Sequence, residues 1–125
     1  MTKPLVLVVE DRPMNAKLLR DVLAASGYDV AEATDAETGL AIARERAPAL
    51  VLMDIQLPGM DGMAAVRELK RDPRTAKIPV VAVTASAMPL ERDAILRAGF
   101  DGYQAKPISV KDLLGEVRRL VAHEA

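Results

Sequence analysis

The alternation of strand-like and helical segments constrains the fold of this 125-residue chain more than any other feature. Three apolar runs and two shorter, weaker strand-like segments are each followed by a segment of helical character. A continuous apolar run bounded by turn signals is typical of a strand that is buried on both faces. Strands that alternate with helices form a parallel sheet with helices packed on both sides. The sequence therefore predicts an α/β fold, a doubly wound five-stranded sheet with five helices. The predicted strands are residues 5–9, 28–33, 50–54, 78–84 and 101–105.

Capping and breaking signals delimit the helices. Pro13 suits the first turn of the first helix, and Gly27 favours a left-handed stop after it. Capping-box spacing at residues 34–37 opens the second helix, and Asp61 can cap the third. Pro89 opens the fourth helix, and residues 109–112 cap the fifth. On the first helix one apolar face is expected, formed by Met14, Leu18, Leu19, Val22 and Leu23; most other methionines, Met53, Met60 and Met63, are expected in the core.

Composition excludes several classes of function. The chain has 17 basic and 18 acidic residues, no cysteine, and only three aromatic side chains. This composition argues against nucleic-acid binding, an anionic membrane surface, disulfides and thiolate metal sites. No apolar run is long enough for a signal peptide or a membrane span. We expect a cytoplasmic protein, with residues 1–125 forming a single domain and no output domain.

Polar side chains follow four of the predicted strands. Glu10 and Asp11 follow the first strand, Asp54 ends the third, Thr84 ends the fourth, and Lys106 follows the fifth. In parallel α/β sheets these strand ends meet at one edge. Taken singly, each residue has an ordinary structural explanation, but three carboxylates beside one lysine leave an excess of negative charge. Mg²⁺ prefers such oxygen ligands, so a magnesium site is predicted here.

These motifs, in this order and strand context, resemble the receiver domain of bacterial two-component response regulators over essentially the whole chain. The resemblance implies a flavodoxin-like sheet of strand order 2-1-3-4-5. It also implies that Asp54 accepts a phosphoryl group from a sensor histidine kinase, which can also act as phosphatase, or from a phosphotransfer protein. By the same resemblance Asp11 ligates Mg²⁺, Glu10 holds it through water, and Asp54 and the backbone carbonyl of Gln56 complete the protein ligands.

The resemblance also assigns a switch. Thr84 and Tyr103 match the switch pair of the family, and Lys106 matches its phosphate-pairing lysine, followed by a peptide bond to Pro107 that is commonly cis. The hypothesis is that the Thr84 hydroxyl moves toward the phosphoryl group and that the Tyr103 ring then swings inward. Gln56 and Ser86 occupy positions that influence the lifetime of the acyl phosphate.

A downstream protein is expected to bind residues 88–120, because this surface adjoins both switch residues. Met88 is one candidate contact, whereas His123 in the C-terminal tail is expected to have no metal or phosphate role. Arg12 and Pro13 depart from the Asn-containing segment of many family members, but those positions hold no metal. Stand-alone cell-cycle and polarity regulators are the most similar subgroup, together with receivers of hybrid kinases. A monomer or weak homodimer is expected, without nucleic acid or membrane partners.

Other functions remain possible from the residues. Chemotaxis-type adaptors share the same chemistry and would also act by binding. An aspartyl-phosphate hydrolase would use Asp54 as nucleophile, but such enzymes need an acid two residues later, where this chain has Gln56. A flavodoxin-like nucleotide or FMN binder would need a phosphate cradle, which residues 10–13 do not offer.

Overall fold

The computed structural model describes residues 3–56, 60–84 and 89–124. All five predicted strands and all five predicted helices are present, and the strands begin no more than two residues from the predicted positions. The elements in chain order are β1 (Leu5–Val9), α1 (Pro13–Ala25), β2 (Asp29–Ala33), α2 (Ala36–Arg46), β3 (Leu50–Asp54), α3 (Gly62–Arg71), β4 (Val80–Thr84), α4 (Pro89–Ala98), β5 (Gly102–Ala105) and α5 (Val110–Glu124).

The five strands form one sheet in which all neighbours are parallel, in the order β2-β1-β3-β4-β5. This arrangement confirms the predicted topology. The strand order reverses between β1 and β3, which pair directly, with Val9 opposite Met53. A crevice forms at such a reversal, beyond the carboxyl ends of the strands. The acidic residues that follow β1 and end β3 therefore lie on either side of it.

Alternate residues of each strand face two separate hydrophobic cores. Leu7, Val51 and Val80 pack with α2, α3 and α4 on one face, whereas Val8 and Leu52 pack with α1 and α5 on the other. Successive strand side chains point to opposite faces, and here both faces are covered. This explains why β1, β3 and β4 are apolar without alternation. In these three strands polar residues occur only at or just after the carboxyl end, whereas the edge strand β2 carries exposed Asp29 and Glu32.

Local capping is largely as predicted. The Asp61 carboxylate accepts a hydrogen bond from the Ala64 N–H at 2.8 Å and begins α3. Gly27 has a φ of 95°, which suits the end of α1. For α2 the predicted capping box is wrong in its first residue, because the cap is the Asp35 side chain, which accepts from the Thr38 N–H at 2.7 Å. Aspartate in this position is as good a cap as threonine.

The predicted apolar face of α1 is wrong at two positions. Leu19 and Leu23 are buried, but Met14 is 85% exposed and Leu18 is 43% exposed. A helix turns about 100° per residue, so Leu18 lies beside the buried stripe rather than on it. Met14 lies about 140° around the helix from Leu19 and about 180° from Leu23, so it faces away from the buried stripe. Of the other methionines, Met53 is buried, while Met60 and Met63 pack partly buried against the core.

Among the described residues, no helix combines the length and the apolar character that crossing a membrane requires.

Candidate functional site

Lys106 and two carboxylates meet at the carboxyl edge of the sheet. The Lys106 Nζ lies 3.3 Å from Asp54 Oδ2 and 3.6 Å from Glu10 Oε2. Asp54 is 3% exposed and Glu10 is 2% exposed. β1, β3 and the segment after β5 thus bring together three of the residues that the sequence predicted to converge.

Asp54 is held by the backbone that surrounds it. Its Oδ1 accepts a hydrogen bond from the Gln56 N–H at 3.0 Å, and the next peptide N–H, that of Ile55, donates to the Val83 carbonyl at 3.1 Å. At Gly62, the first residue of α3, an added Cβ would lie 2.7 Å from the Asp54 carbonyl oxygen and 2.8 Å from the Ile55 Cα. Only glycine allows α3 to begin so close to the end of β3. Sequence reasoning missed this role of Gly62, although the Asp-Gly pair before a helix was visible.

Glu10 is a buried acid with incomplete hydrogen bonding. Its Oε1 accepts from the Arg12 N–H at 3.2 Å, whereas its Oε2 has no hydrogen-bond donor among the described residues. Burial raises the pKa of Glu10 above its ordinary value, and the neighbouring Asp54 carboxylate raises it further. The Lys106 ammonium and the Arg12 N–H act in the opposite direction. A buried acceptor oxygen without a donor is costly unless a cation or another donor occupies the site.

The carboxylates are spaced as metal ligands. Glu10, Asp11 and Asp54 can each supply an oxygen such that all three lie within 4.8 Å of one another, and Asp11 is exposed at the mouth of the cluster. Lys106 is shared between Glu10 and Asp54, and Glu10 Oε2 accepts no hydrogen bond from the described residues, so the cluster suits a hard divalent cation. Three oxygen donors with solvent access on one side fit Mg²⁺, which keeps several of its waters.

Thr84 and Tyr103 lie on neighbouring strands beside this cluster. Thr84 is buried, and its carbonyl accepts from the Lys106 N–H at 2.7 Å, so the position of the lysine depends on the end of β4. Tyr103 is half-buried on β5, opposite Ala82. The Lys106–Pro107 peptide bond is cis, as the resemblance predicted.

Not every predicted site residue can be located. Ser86 and Met88 lie outside the described residues, as does the side chain of His123. One contact that sequence reasoning did not find is that of Arg92, on α4, whose guanidinium lies over the Tyr103 ring. No local pattern joins these two residues, because they belong to different elements.

Comparison with known proteins gives consistent results. A family model described as the response regulator receiver domain matches residues 6–118. The polar-differentiation response regulator DivK of Brucella ovis is 42% identical over 118 residues, which cover 94% of this chain and 95% of that protein. DivK of Brucella anthropi is 42% identical over 113 residues, covering 90% and 92%.

Two solved structures illustrate the structural similarity. The receiver domain of a sensor histidine kinase from Pseudomonas aeruginosa, with a magnesium ion coordinated in its active-site cleft, superposes with a TM-score of 0.90. It is 30% identical, covering 97% of this chain and 99% of that one. The chemotaxis protein CheY4 of Vibrio cholerae has a TM-score of 0.89, with 95% and 99% coverage, and at 24% identity it shows the fold alone.

The chain belongs to the response regulator receiver domain family. Receiver domains are signalling modules of two-component systems, which interact with histidine kinases or phosphotransfer proteins and bind Mg²⁺ at an acidic pocket. The resemblance noted from the strand-end residues is thereby confirmed.

Proposed function

We propose that Asp54 is the phosphoryl acceptor of this receiver domain and that its phosphorylation switches protein binding. The observation that carries the proposal is the convergence of Asp54, Glu10, Asp11 and Lys106 at one edge of the sheet. Asp54 alone would be an ordinary strand-end carboxylate, whereas a metal-ligand cluster and an ammonium around it form a site for phosphate chemistry.

The proposed reaction is a transfer between two covalent carriers. A carboxylate oxygen of Asp54 attacks phosphorus, the bond from phosphorus to the donor nitrogen of phosphohistidine breaks, and an acyl phosphate forms. Water later attacks that phosphorus and returns the carboxylate and inorganic phosphate. Such transfers depend on positioning and on neutralising the charge of the phosphoryl oxygens. Lys106, 3.3 Å from Asp54, supplies one positive charge.

A divalent cation would supply the rest of that charge. Glu10, Asp11 and Asp54 would hold Mg²⁺, with the backbone carbonyl of Gln56 as the remaining protein ligand that the family resemblance implies. When bound, Mg²⁺ neutralises charge on phosphoryl oxygens and orients them. The Oε2 of Glu10, which accepts no hydrogen bond from the described residues, supports this assignment.

The output of the switch is proposed to be binding rather than catalysis of an external reaction. Gln56 stands where an aspartyl-phosphate hydrolase would need an acid, which counts against turnover. The relatives are described as polar-differentiation regulators, so a DivK-like role in cell-cycle or polarity signalling is the first candidate. The alternatives are a receiver of a hybrid kinase and a chemotaxis-type adaptor; the Pseudomonas structure is a receiver domain of a sensor histidine kinase.

The region proposed to bind the downstream protein is residues 88–120. It includes α4, β5 and most of α5, and Tyr103 lies within it. A cytoplasmic location and a monomeric or weakly dimeric state remain parts of this proposal.

Intact-mass analysis after incubation with a small acyl-phosphate donor and Mg²⁺ tests the acceptor. Wild type should gain one phosphoryl group, and Asp54→Asn should gain none. Asp61→Asn is the matched control, because asparagine still caps α3 and this residue is exposed near the same site. An adduct on Asp54→Asn, or none on wild type, would refute the assignment.

A further inference from the structure

Arg92 lies outside the carboxylate cluster yet contacts a residue of the proposed switch. Its guanidinium carbon is 5.4 Å from the centroid of the Tyr103 ring. A guanidinium within about 6 Å of a ring centroid is attracted to the negative face of the ring. Arg92 is exposed on α4, whereas Tyr103 is half-buried on β5. The contact therefore connects the surface of α4 to the residue whose movement the proposed function requires.

Tyr103 also lines an open groove beside β5 and α5. This groove has a volume of about 640 Å³, and Gln104, Asp112 and Glu116 also line it. Because Arg92 is anchored on α4 at the surface, a ring that turned inward toward Thr84 would leave the guanidinium. The contact between Arg92 and the Tyr103 ring therefore excludes the inward position of the ring.

We propose that Arg92 is a positioning residue that holds Tyr103 in the half-buried conformation and thereby opposes the switch. The regulatory consequence rests on the proposed function, since only a Tyr103 that moves on phosphorylation makes the contact a control. An exposed cation–π contact changes an equilibrium by about two- to fivefold. Arg92 thus shifts the equilibrium between the half-buried and the inward position of the Tyr103 ring by that factor, in favour of the half-buried position.

Nuclear magnetic resonance of ring-labelled tyrosine tests the contact in the free protein. The chain has two tyrosines and no tryptophan, so Tyr28 serves as an internal reference. Arg92→Ala should shift the Tyr103 ring signals and leave those of Tyr28 unchanged, and Arg92→Lys should restore part of the difference. Arg97→Ala, the same loss of charge at an exposed position on the same helix, should behave like wild type. Unchanged Tyr103 signals in Arg92→Ala, or an equal shift in Arg97→Ala, would overturn the proposal.

Titration with beryllium fluoride and Mg²⁺, a mimic of the phosphoryl group, tests the regulatory consequence. In Arg92→Ala, the Tyr103 ring signals should reach the midpoint of their change at a beryllium fluoride concentration about two- to fivefold lower than in wild type. Equal midpoints would overturn the opposition of Arg92 to the switch. If Tyr103 of wild type did not respond at all, the proposed switch would be wrong, while the spectra of the free proteins would still decide whether Arg92 positions the ring.

Discussion

The carboxylate of Glu10 is buried beside Asp54, and one of its oxygens has no donor among the described residues. Lys106, 3.6 Å from that oxygen, is shared with Asp54 and cannot neutralise both carboxylates. The proposed metal site would therefore be assembled at a cost to the stability of the metal-free fold. A residue required for metal binding is thus expected to destabilise the protein when the metal is removed.

Replacing Glu10 with glutamine should separate these two effects. In the presence of a chelator at neutral pH, Glu10→Gln should raise the unfolding free energy by about 1–2 kcal/mol, because it removes a buried negative charge. The same variant should bind Mg²⁺ more weakly, and added Mg²⁺ should stabilise it less than wild type. Urea unfolding with and without Mg²⁺ measures both quantities. Glu45→Gln, at an exposed site, is the control; a Glu10 variant less stable than wild type without metal would contradict the argument.

Gly62 offers a second test at the residue scale. Gly62→Ala should lower the unfolding free energy by about 1–3 kcal/mol, because the methyl group would collide with the backbone of Asp54 and Ile55. It should also slow formation of the Asp54 adduct by roughly ten- to hundredfold, since the acceptor would be displaced.

The matched control is Gly115→Ala in α5, where an added Cβ meets nothing within 4 Å. This change should stabilise the fold by roughly 0.5–1 kcal/mol, because alanine favours the helix over glycine. Adduct rates for both variants follow from mass spectrometry. Normal adduct formation by Gly62→Ala would show that this close approach does not position the acceptor.

At the scale of the elements, one acidic residue joins α2 to the turn after α3. Asp72 pairs with Arg44 of α2 at 3.0 Å and with Arg74 at 2.8 Å, and it also accepts from the Arg74 N–H. The hydrogen bonds from Arg74 are the main cause that holds the pKa of Asp72 well below its ordinary value of 3.8, and Arg44 contributes less. The ionised form of Asp72 is therefore more favourable in the folded state than in the unfolded state.

The sign of the resulting pH dependence follows from that lowered pKa. The stability that Asp72 contributes is present above pH 3.8 and is lost as the pH falls from 3.8 toward the lower pKa of the folded state. Asp72→Asn should therefore be less stable than wild type at pH 7, and the difference should shrink below pH 4. Urea unfolding at several pH values measures this. Asp29→Asn, at an exposed position, should show a smaller effect, and a difference that stays constant down to pH 2 would contradict the assignment.

At the scale of the whole molecule, the sheet connects the acceptor to a surface on its far edge. Asp54 ends β3, Thr84 ends the neighbouring β4, and Tyr103 lies on β5 beside it. The Thr84 carbonyl also accepts a hydrogen bond from the Lys106 N–H. A change at the proposed acceptor would thus reach the α4 and β5 surface across two strands, and the proposed switch requires that this part of the molecule has two states.

Thr84→Ala should uncouple the two ends of this connection. The variant should still form the Asp54 adduct at a rate within about tenfold of wild type, because Thr84 is not an expected metal ligand. The response of Tyr103 to beryllium fluoride should be lost, whereas Thr84→Ser, which keeps the hydroxyl, should retain it. Adduct mass and tyrosine spectra are the two measurements. A full Tyr103 response in Thr84→Ala would rule out the hydroxyl as the link.

The sequence by itself determined the order of the elements, the parallel sheet and the residues at its carboxyl edge. These features depend on apolar runs, on caps such as Asp61, and on Pro13 and Gly27, all of which act within a few residues of the chain. The topology then requires that strand ends converge, so Glu10, Asp54, Thr84 and Lys106 could be grouped before any distance was known.

Only the tertiary structure decided which surfaces of those elements are covered and which side chains touch across them. Met14 and Leu18 are exposed because the packing of α1 on the sheet, and not its apolar content, determines which of its residues are buried. The tertiary structure also brought Gly62 against Asp54, and Arg92 over Tyr103. Such contacts join distant or differently oriented elements, and their existence depends on ångström-scale packing that no local pattern of residues encodes.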